Sequence, residues 1–190
     1  FADQSLVHKT EIRAAQGNAE AQNNLGIMYV NGRSVIRSEN KAIEWFSKAA
    51  AQGHADAQNN LGAMYYTGRG VNQSDSKAFE WYSKAAAQGH ADAQNNIGVM
   101  YDNGQSIVQS DTKAFEWFLK SAKTDYVDSQ HELSNMYLKG IAVAKDINQG
   151  VYWAERAANL GYDKSQYVLG SMYDKGDVVP KDYKKALVNR

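Results

Sequence analysis

Three observations predict an all-α fold built from about five stacked helix-turn-helix repeats. Residues 21–29, Ala-Gln-Asn-Asn-Leu-Gly-Ile-Met-Tyr, return almost letter for letter at 57–65 and 93–101, with weaker copies at 129–137 and 165–173. Each step is 36 residues, as Gln22, Gln58, Gln94, Gln130 and Gln166 show, and a fixed period in that range marks a stacked repeat array. Of the 15 glycines, 13 fall in three columns of the repeat, so glycine serves as punctuation. Such arrays mostly present surfaces, which already turns the functional expectation away from an enzyme.

The elements follow in chain order. Residues 1–17 form an N-terminal capping helix: Lys9, Thr10 and Arg13 hold the slots that Trp45, Phe46 and Ala49 fill later, a polar outer face that keeps the end of the stack soluble. Repeats then run over 18–53, 54–89, 90–125 and 126–161, with an incomplete fifth at 162–190. In the second unit, Gln58, Leu61, Met64 and Tyr65 recur at three- and four-residue steps, which predicts an amphipathic helix A over 55–67. Asp56 lies in its first turn, where the helix dipole favours an anion. Residues 68–73 are a loop. Helix B, over 75–88, carries Ala78, Trp81, Tyr82, Ala85 and Ala86 on one stripe.

Gly53 and Gly68, like the others of their two columns, sit where a helix ends, and glycine takes the left-handed terminal conformation without strain. Gly26, Gly62, Gly98 and Gly170 lie inside helix A, where glycine costs up to ~1 kcal/mol. Their use is close approach of a helix bearing a large side chain. The tryptophan column (Trp45, Trp81, Trp117, Trp153) and the methionine column (Met28, Met64, Met100, Met136, Met172) read as core. The chain stops inside the fifth helix B, with Asn189 in the tryptophan slot, an end open to completion by a partner or by self-association.

Composition removes several classes. Lys plus Arg equals Asp plus Glu at 21 each, so no net field points to nucleic acid or an acidic membrane. No run of 18 apolar residues is present, so no membrane span is expected. Without cysteine there is neither a disulfide framework nor a thiolate metal site. The first residue is Phe1 rather than Met, which reads as a processed or engineered start, with Phe1-Ala2 as the remnant of a cleavage region.

The run A-x-A-Q-x-N-L-G-x-M-Y-x-x-G followed by K-A-x-x-W-[FY]-x-K-A-A-x-Q-G resembles the Sel1-like repeat, a relative of the tetratricopeptide repeat, from Gly17 onward. The resemblance implies a right-handed α-α superhelix, or solenoid, whose A helices line the concave face. It implies an adaptor or scaffold that binds a protein or peptide and needs no cofactor. In bacteria it also implies a periplasmic or secreted protein of the envelope or of host contact, in preference to a cytoplasmic one. The chain departs from the cysteine-rich branch of the family, so packing alone must hold its hairpins.

Two sets of residues resemble chemistry. Ser38, Ser74 and Ser110 each precede a lysine by three, the S-x-x-K spacing of penicillin-recognising hydrolases. The column continues, however, as Asp146 and Asp182, and serine and aspartate interchange as helix N-caps but not as that nucleophile. Neither S-D-N nor K-T-G accompanies the motif, so capping is the expectation and hydrolysis the alternative; a self-assembling spacer is a third reading. His54 and His90 share a column beside the glycine turn, too far apart across stacked helices to hold one metal, so no metal site is expected.

The candidate binding residues are the asparagine pairs Asn23-Asn24, Asn59-Asn60 and Asn95-Asn96, which give way to His131-Glu132 and Tyr167-Val168. Asparagine is a mediocre helix former, so six in mid-helix need a reason. An amide offers donor and acceptor together, and a ladder of amides holds an extended backbone whatever its side chains. By the resemblance, Asn24, Asn60 and Asn96 match the position where tetratricopeptide repeats offer asparagine to a bound peptide. The competing role is bonding within the hairpin or to the next repeat. Nearby columns vary from unit to unit, including Val30, Tyr66, Asp102, Leu138 and Asp174; Tyr66 and Asp102 are the two singled out as partner contacts. The groove lacks the lysine and arginine set of the carboxylate-clamp tetratricopeptide domains, which makes a C-terminal carboxylate a poor ligand.

Overall fold

The computed structural model describes residues 2–175, and among them it is a helical solenoid of ten α-helices without strands. In order these are α1 (Ala2–Ala15), α2 (Ala19–Asn31), α3 (Glu39–Ala51), α4 (Ala55–Thr67) and α5 (Asp75–Ala87). They continue as α6 (Ala91–Asn103), α7 (Asp111–Ala122), α8 (Val127–Lys139), α9 (Ile147–Asn159) and α10 (Asp163–Lys175). Even-numbered helices from α2 are the A helices, and odd-numbered helices from α3 are the B helices. The expected fifth B helix, with Asp182 as its cap and Asn189 in the tryptophan slot, lies outside the described residues. Two compact units divide the chain, residues 1–93 and 94–190.

Each hairpin closes on the same parts. Gly32 and Gly68 end α2 and α4 with φ of 67° and 69°, and their N–H groups return to the carbonyls of Met28 and Met64. After the loop, the N–H of Ser38 donates to Tyr29 O at 3.0 Å, and that of Ser74 to Tyr65 O at 2.9 Å. The entry to every B helix is thereby tied to the A helix it must pack on. In the second unit the same bonds run from Ser110 to Tyr101 and from Asp146 to Tyr137.

The mid-helix glycines are where the hairpin interlocks. A Cβ on Gly26 would stand 2.6 Å from the Phe46 ring; on Gly62, 2.7 Å from Tyr82; on Gly98, 2.7 Å from Phe118. Those rings are fully buried, with Phe46 at 2%, Tyr82 at 3% and Phe118 at 2% exposure. Burial, and next the carboxylate of Asp92, push the Tyr82 phenol up from its ordinary value. The fourth hairpin inverts the arrangement. Ser134 takes the glycine slot and Ala154 the ring slot, and Ser134 Oγ donates to Gly150 O at 2.8 Å.

The tryptophan column differs from expectation. Trp45, Trp81 and Trp117 are only half-buried, and just Trp153 is fully enclosed, at 6% exposure. Adjacent helical residues diverge by about 100°, so of a Trp-Phe or Trp-Tyr pair only one ring can enter the seam, and the glycine admits the second. Trp81 instead lies along the edge of the cluster formed by Ala42, Phe46, Ala49, Ala50, Ala57, Leu61 and Met64. The ammonium of Lys84 rests 4.1 Å over its ring, and Lys48 and Lys120 do the same on Trp45 and Trp117 at 4.1 and 3.9 Å. Where Ala154 replaces the second ring, Trp153 enters the core in its place. Of the methionine column, Met64, Met100 and Met136 are buried, while Met28 and Met172 are half-buried.

Glutamines join one helix to the next. Gln22 Nε2 donates to Ala14 O at 3.1 Å, and Gln58 Nε2 to Ala50 O at 3.2 Å, each satisfying a carbonyl near the end of the preceding helix. The oxygen of each amide is met in turn: Gln52 Nε2 donates to Gln22 Oε1 at 2.7 Å, and Gln88 Nε2 to Gln58 Oε1 at 2.8 Å. In the fourth repeat that column reads Leu160, which is exposed, and the buried Gln130 Oε1 has no partner among the described residues. Leu160→Gln is therefore expected to stabilise the protein by about 0.5–1.5 kcal/mol, readable in urea unfolding as a higher midpoint at unchanged slope.

Candidate functional site on the A helices

The serines of the S-x-x-K motif start helices. Ser38, Ser74 and Ser110 have extended backbone, and their Oγ atoms accept from the N–H of Lys41, Lys77 and Lys113 at 3.4, 3.3 and 3.3 Å. Asp146 does the same for Gln149 at 3.0 Å. The lysine ammoniums lie over the rings of Tyr29, Tyr65 and Tyr101, 5.1–5.2 Å from their centres. His54 and His90 also cap, accepting at Nδ1 from Ala57 and Ala93, which places the proton of a neutral ring on Nε2. Ser74→Asp should leave the melting curve nearly unchanged, whereas Ser74→Ala should cost about 0.5–2 kcal/mol. Covalent labelling of Ser74 by a β-lactam probe would contradict the capping role.

The two members of each asparagine pair have different surroundings. Asn23, Asn59 and Asn95 are buried, at 3%, 6% and 9% exposure. Asn23 Oδ1 accepts from Asn60 Nδ2 at 3.0 Å, Asn59 Nδ2 donates to Asp92 at 2.9 Å, and Asn95 Oδ1 accepts from Ser129 Oγ at 2.8 Å. These first amides tie one A helix to the next. The second members face outward: Asn24 is exposed, Asn60 and Asn96 partly so. Asn24 lines a hollow of about 280 Å³ with Leu6, Thr10 and Ile27, and Asn60 one of about 330 Å³ with Val30, Ala63 and Arg69. Tyr66 is half-buried near Tyr82, and Asp102 is exposed. The structure brings Asn24 and Asn60 to hollows that share a wall; it does not bring Tyr66 to either.

On α8 and α10 the A-helix face changes character. Glu132 replaces the asparagine, and burial raises its carboxyl pKa, partly offset by a hydrogen bond from Asn135. His131 contacts Ser165 Oγ at 2.9 Å, and its pKa is lowered, first by burial and then by Lys164. Tyr162 donates to Asp128 at 2.6 Å and is pushed up to about 12, mainly by burial. A third hollow, about 460 Å³, lies over Leu138, Ile147, Tyr167, Val168 and Met172.

Sequence reasoning missed Arg33 and Arg69, which line the first two hollows, and Leu6, which is 56% exposed there. A signal existed: Arg33 and Arg69 share a column that becomes Gln105 and Ile141. No group of three potential metal ligands is assembled among the described residues, and no helix among them is long and apolar enough to cross a membrane.

Paired helices repeating every 36 residues, with amides and hollows ranged along one set of helices, define an α-solenoid repeat protein. The chain belongs to the Sel1 repeat family, which matches it five times, at residues 19–54, 55–90, 91–125, 127–162 and 163–188. Sel1 repeats generally serve as protein-interaction modules. Among solved structures, a Sel1 repeat protein from Oxalobacter formigenes is 30% identical with a TM-score of 0.94, over 98% of this chain and 76% of that one. The protective antigen c5321 of uropathogenic Escherichia coli, described as having an SLR fold, is 32% identical with a TM-score of 0.88. That match covers 96% of this chain but 40% of the antigen. Immunity protein Pa5087 from Pseudomonas aeruginosa is 27% identical with a TM-score of 0.63, over 90% of this chain and 63% of that one. No curated protein matches the chain.

Proposed function

We propose that the protein is a non-enzymatic adaptor that holds an extended segment of a partner protein along its A helices. The observation that carries this reading is the division of labour within the asparagine pairs. The buried first amides bind helix to helix, Asn24 turns its amide to a hollow, and Asn60 lines the next hollow while donating one N–H to Asn23. The serines of the competing hydrolase reading accept helix-start N–H bonds, and its lysines lie over tyrosine rings, which supports a binding role instead. We place the protein in the envelope or secreted fraction of a bacterium, which fractionation with a tagged chain tests.

The binding test uses a partner recovered by crosslinking in cells. Changing Asn24, Asn60 and Asn96 together to alanine should abolish binding while most helicity remains. Asn60→Ala alone should weaken binding by about 0.5–1.5 kcal/mol, and because it also removes the bond to Asn23 its melting temperature is measured alongside. Changing Asn23, Asn59 and Asn95 should instead lower the melting temperature. Binding that persists on an intact triple variant of the outward asparagines removes the A-helix face as the site.

A further inference from the structure

The hollows at Asn24 and Asn60 share Ile27 and Asn31 as a common wall, so they adjoin as two compartments of one trough, the first between α1 and α2 and the second between α2 and α4. Its apolar lining includes Leu6, Ile27, Val30 and Ala63, and its charged lining is two guanidiniums, Arg33 and Arg69, without a carboxylate. The surroundings leave positive charge in excess at this end. Arg37 and Arg69 both pair with Glu39, at 2.9 and 3.1 Å, and hold its carboxyl below the usual range. Arg33 is exposed and joins no ion pair among the described residues. Two guanidiniums thus share one carboxylate, and that of Arg33 is left without one among the described residues. The acidic residues of the same two A helices, Glu20 and Asp56, stand in the first turns, at the opposite ends.

We propose that this trough takes an acidic peptide: an extended segment with an apolar residue over Ile27 and an aspartate or glutamate side chain beside it, received by Arg33 and Arg69. A planar guanidinium suits a carboxylate because two N–H groups meet its two oxygens together, and the bond strengthens when an apolar floor excludes water. The amides of Asn24 and Asn60 are placed to take the peptide backbone between those anchors. The guanidinium pair is confined to the first two repeats, since the column continues as Gln105 and Ile141, so the acid is received at this part of the chain. This rests on the A-helix binding role and gives it a ligand class.

The test selects phage-displayed random dodecapeptides on the full chain and measures the winners as labelled synthetic peptides. Selected peptides should be enriched in Asp or Glu next to an apolar residue. Their affinity should fall about tenfold or more for Arg33→Glu, and on Glu→Gln in the peptide, the usual loss for a charged hydrogen bond. Arg33→Gln should give an intermediate loss, and both variants should melt as the parent does because Arg33 is exposed. Winners without acidic residues, or indifferent to Arg33→Glu, overturn the acidic assignment. If those same peptides are lost on Asn24→Ala with Asn60→Ala, the A-helix reading stands without it. Recovery of no peptide, or of peptides indifferent to all these changes, overturns both.

Discussion

Phe118→Ala is expected to cost about 3–5 kcal/mol, enough to remove much of the stability of a chain this size. The ring is 2% exposed, sits against the backbone of Gly98, and belongs with Ala114, Ala122, Leu133, Met136 and Trp153 to one cluster. The hairpin cannot close on the void, because α7 is held to α6 by the bond from Ser110 N to Tyr101 O. Trp117→Ala, one residue away, should cost only about 1–2.5 kcal/mol, because that ring is half-buried and part of its surface already meets solvent and Lys120. Equilibrium unfolding in urea of both variants decides the matter. An equal loss at the two positions would mean that the glycine does not select which ring is enclosed.

Overfilling the same contact is the second large effect. Gly98→Val would place a Cβ 2.7 Å from Phe118, and the ring has no room to retreat, so a loss of about 1–3 kcal/mol is expected although valine is the better helix former. The two changes should compensate each other. In the double variant the valine methyls occupy part of the space the ring leaves, and a coupling energy of about 0.5–3 kcal/mol in the favourable direction is expected. The protein already contains such an exchange, since Ser134 and Ala154 stand where the first three hairpins place glycine and a ring. A double-mutant cycle on melting or denaturant curves measures it, and strict additivity would show that Gly98 and Phe118 are not in contact.

Most of the fold was legible because the period repeats its own evidence. Helix A of the second repeat, expected at 55–67, is Ala55–Thr67, and helix B, expected at 75–88, is Asp75–Ala87. The close approach at Gly62 was legible too, since glycine inside a helix destabilises it and so implies a compensating contact. Which ring made that contact was not. Trp81 and Tyr82 are both aromatic and adjacent, and only the position of Gly62 across the hairpin chooses between them. The asparagine pairs posed the same problem. Asn59 and Asn60 are chemically identical, and a rotation of one helical position separates a buried tie to Asp92 from a half-buried amide that both bonds to Asn23 and edges a hollow. The trough at Arg33 and Arg69 was hidden for another reason: the two arginines share a repeat column, but that column lies in the loop after the helix end, and the period alone does not say that the loop returns to the face of the helix.

The contact between each A-helix glycine and its ring lies within a single hairpin, with the two partners 20 residues apart in every case. A recombination event that inserts or deletes 36 codons therefore delivers both partners together, wherever its breakpoints fall among the three near-identical copies. The fourth hairpin does not exchange so freely. A breakpoint falling between its position 134 and position 154 would join Ser134 to a ring, a collision, or a glycine to Ala154, a void. Inheritance can thus lengthen or shorten the front of this protein in whole hairpins, while the part from Ser134 to Ala154 must be passed on as one uninterrupted piece.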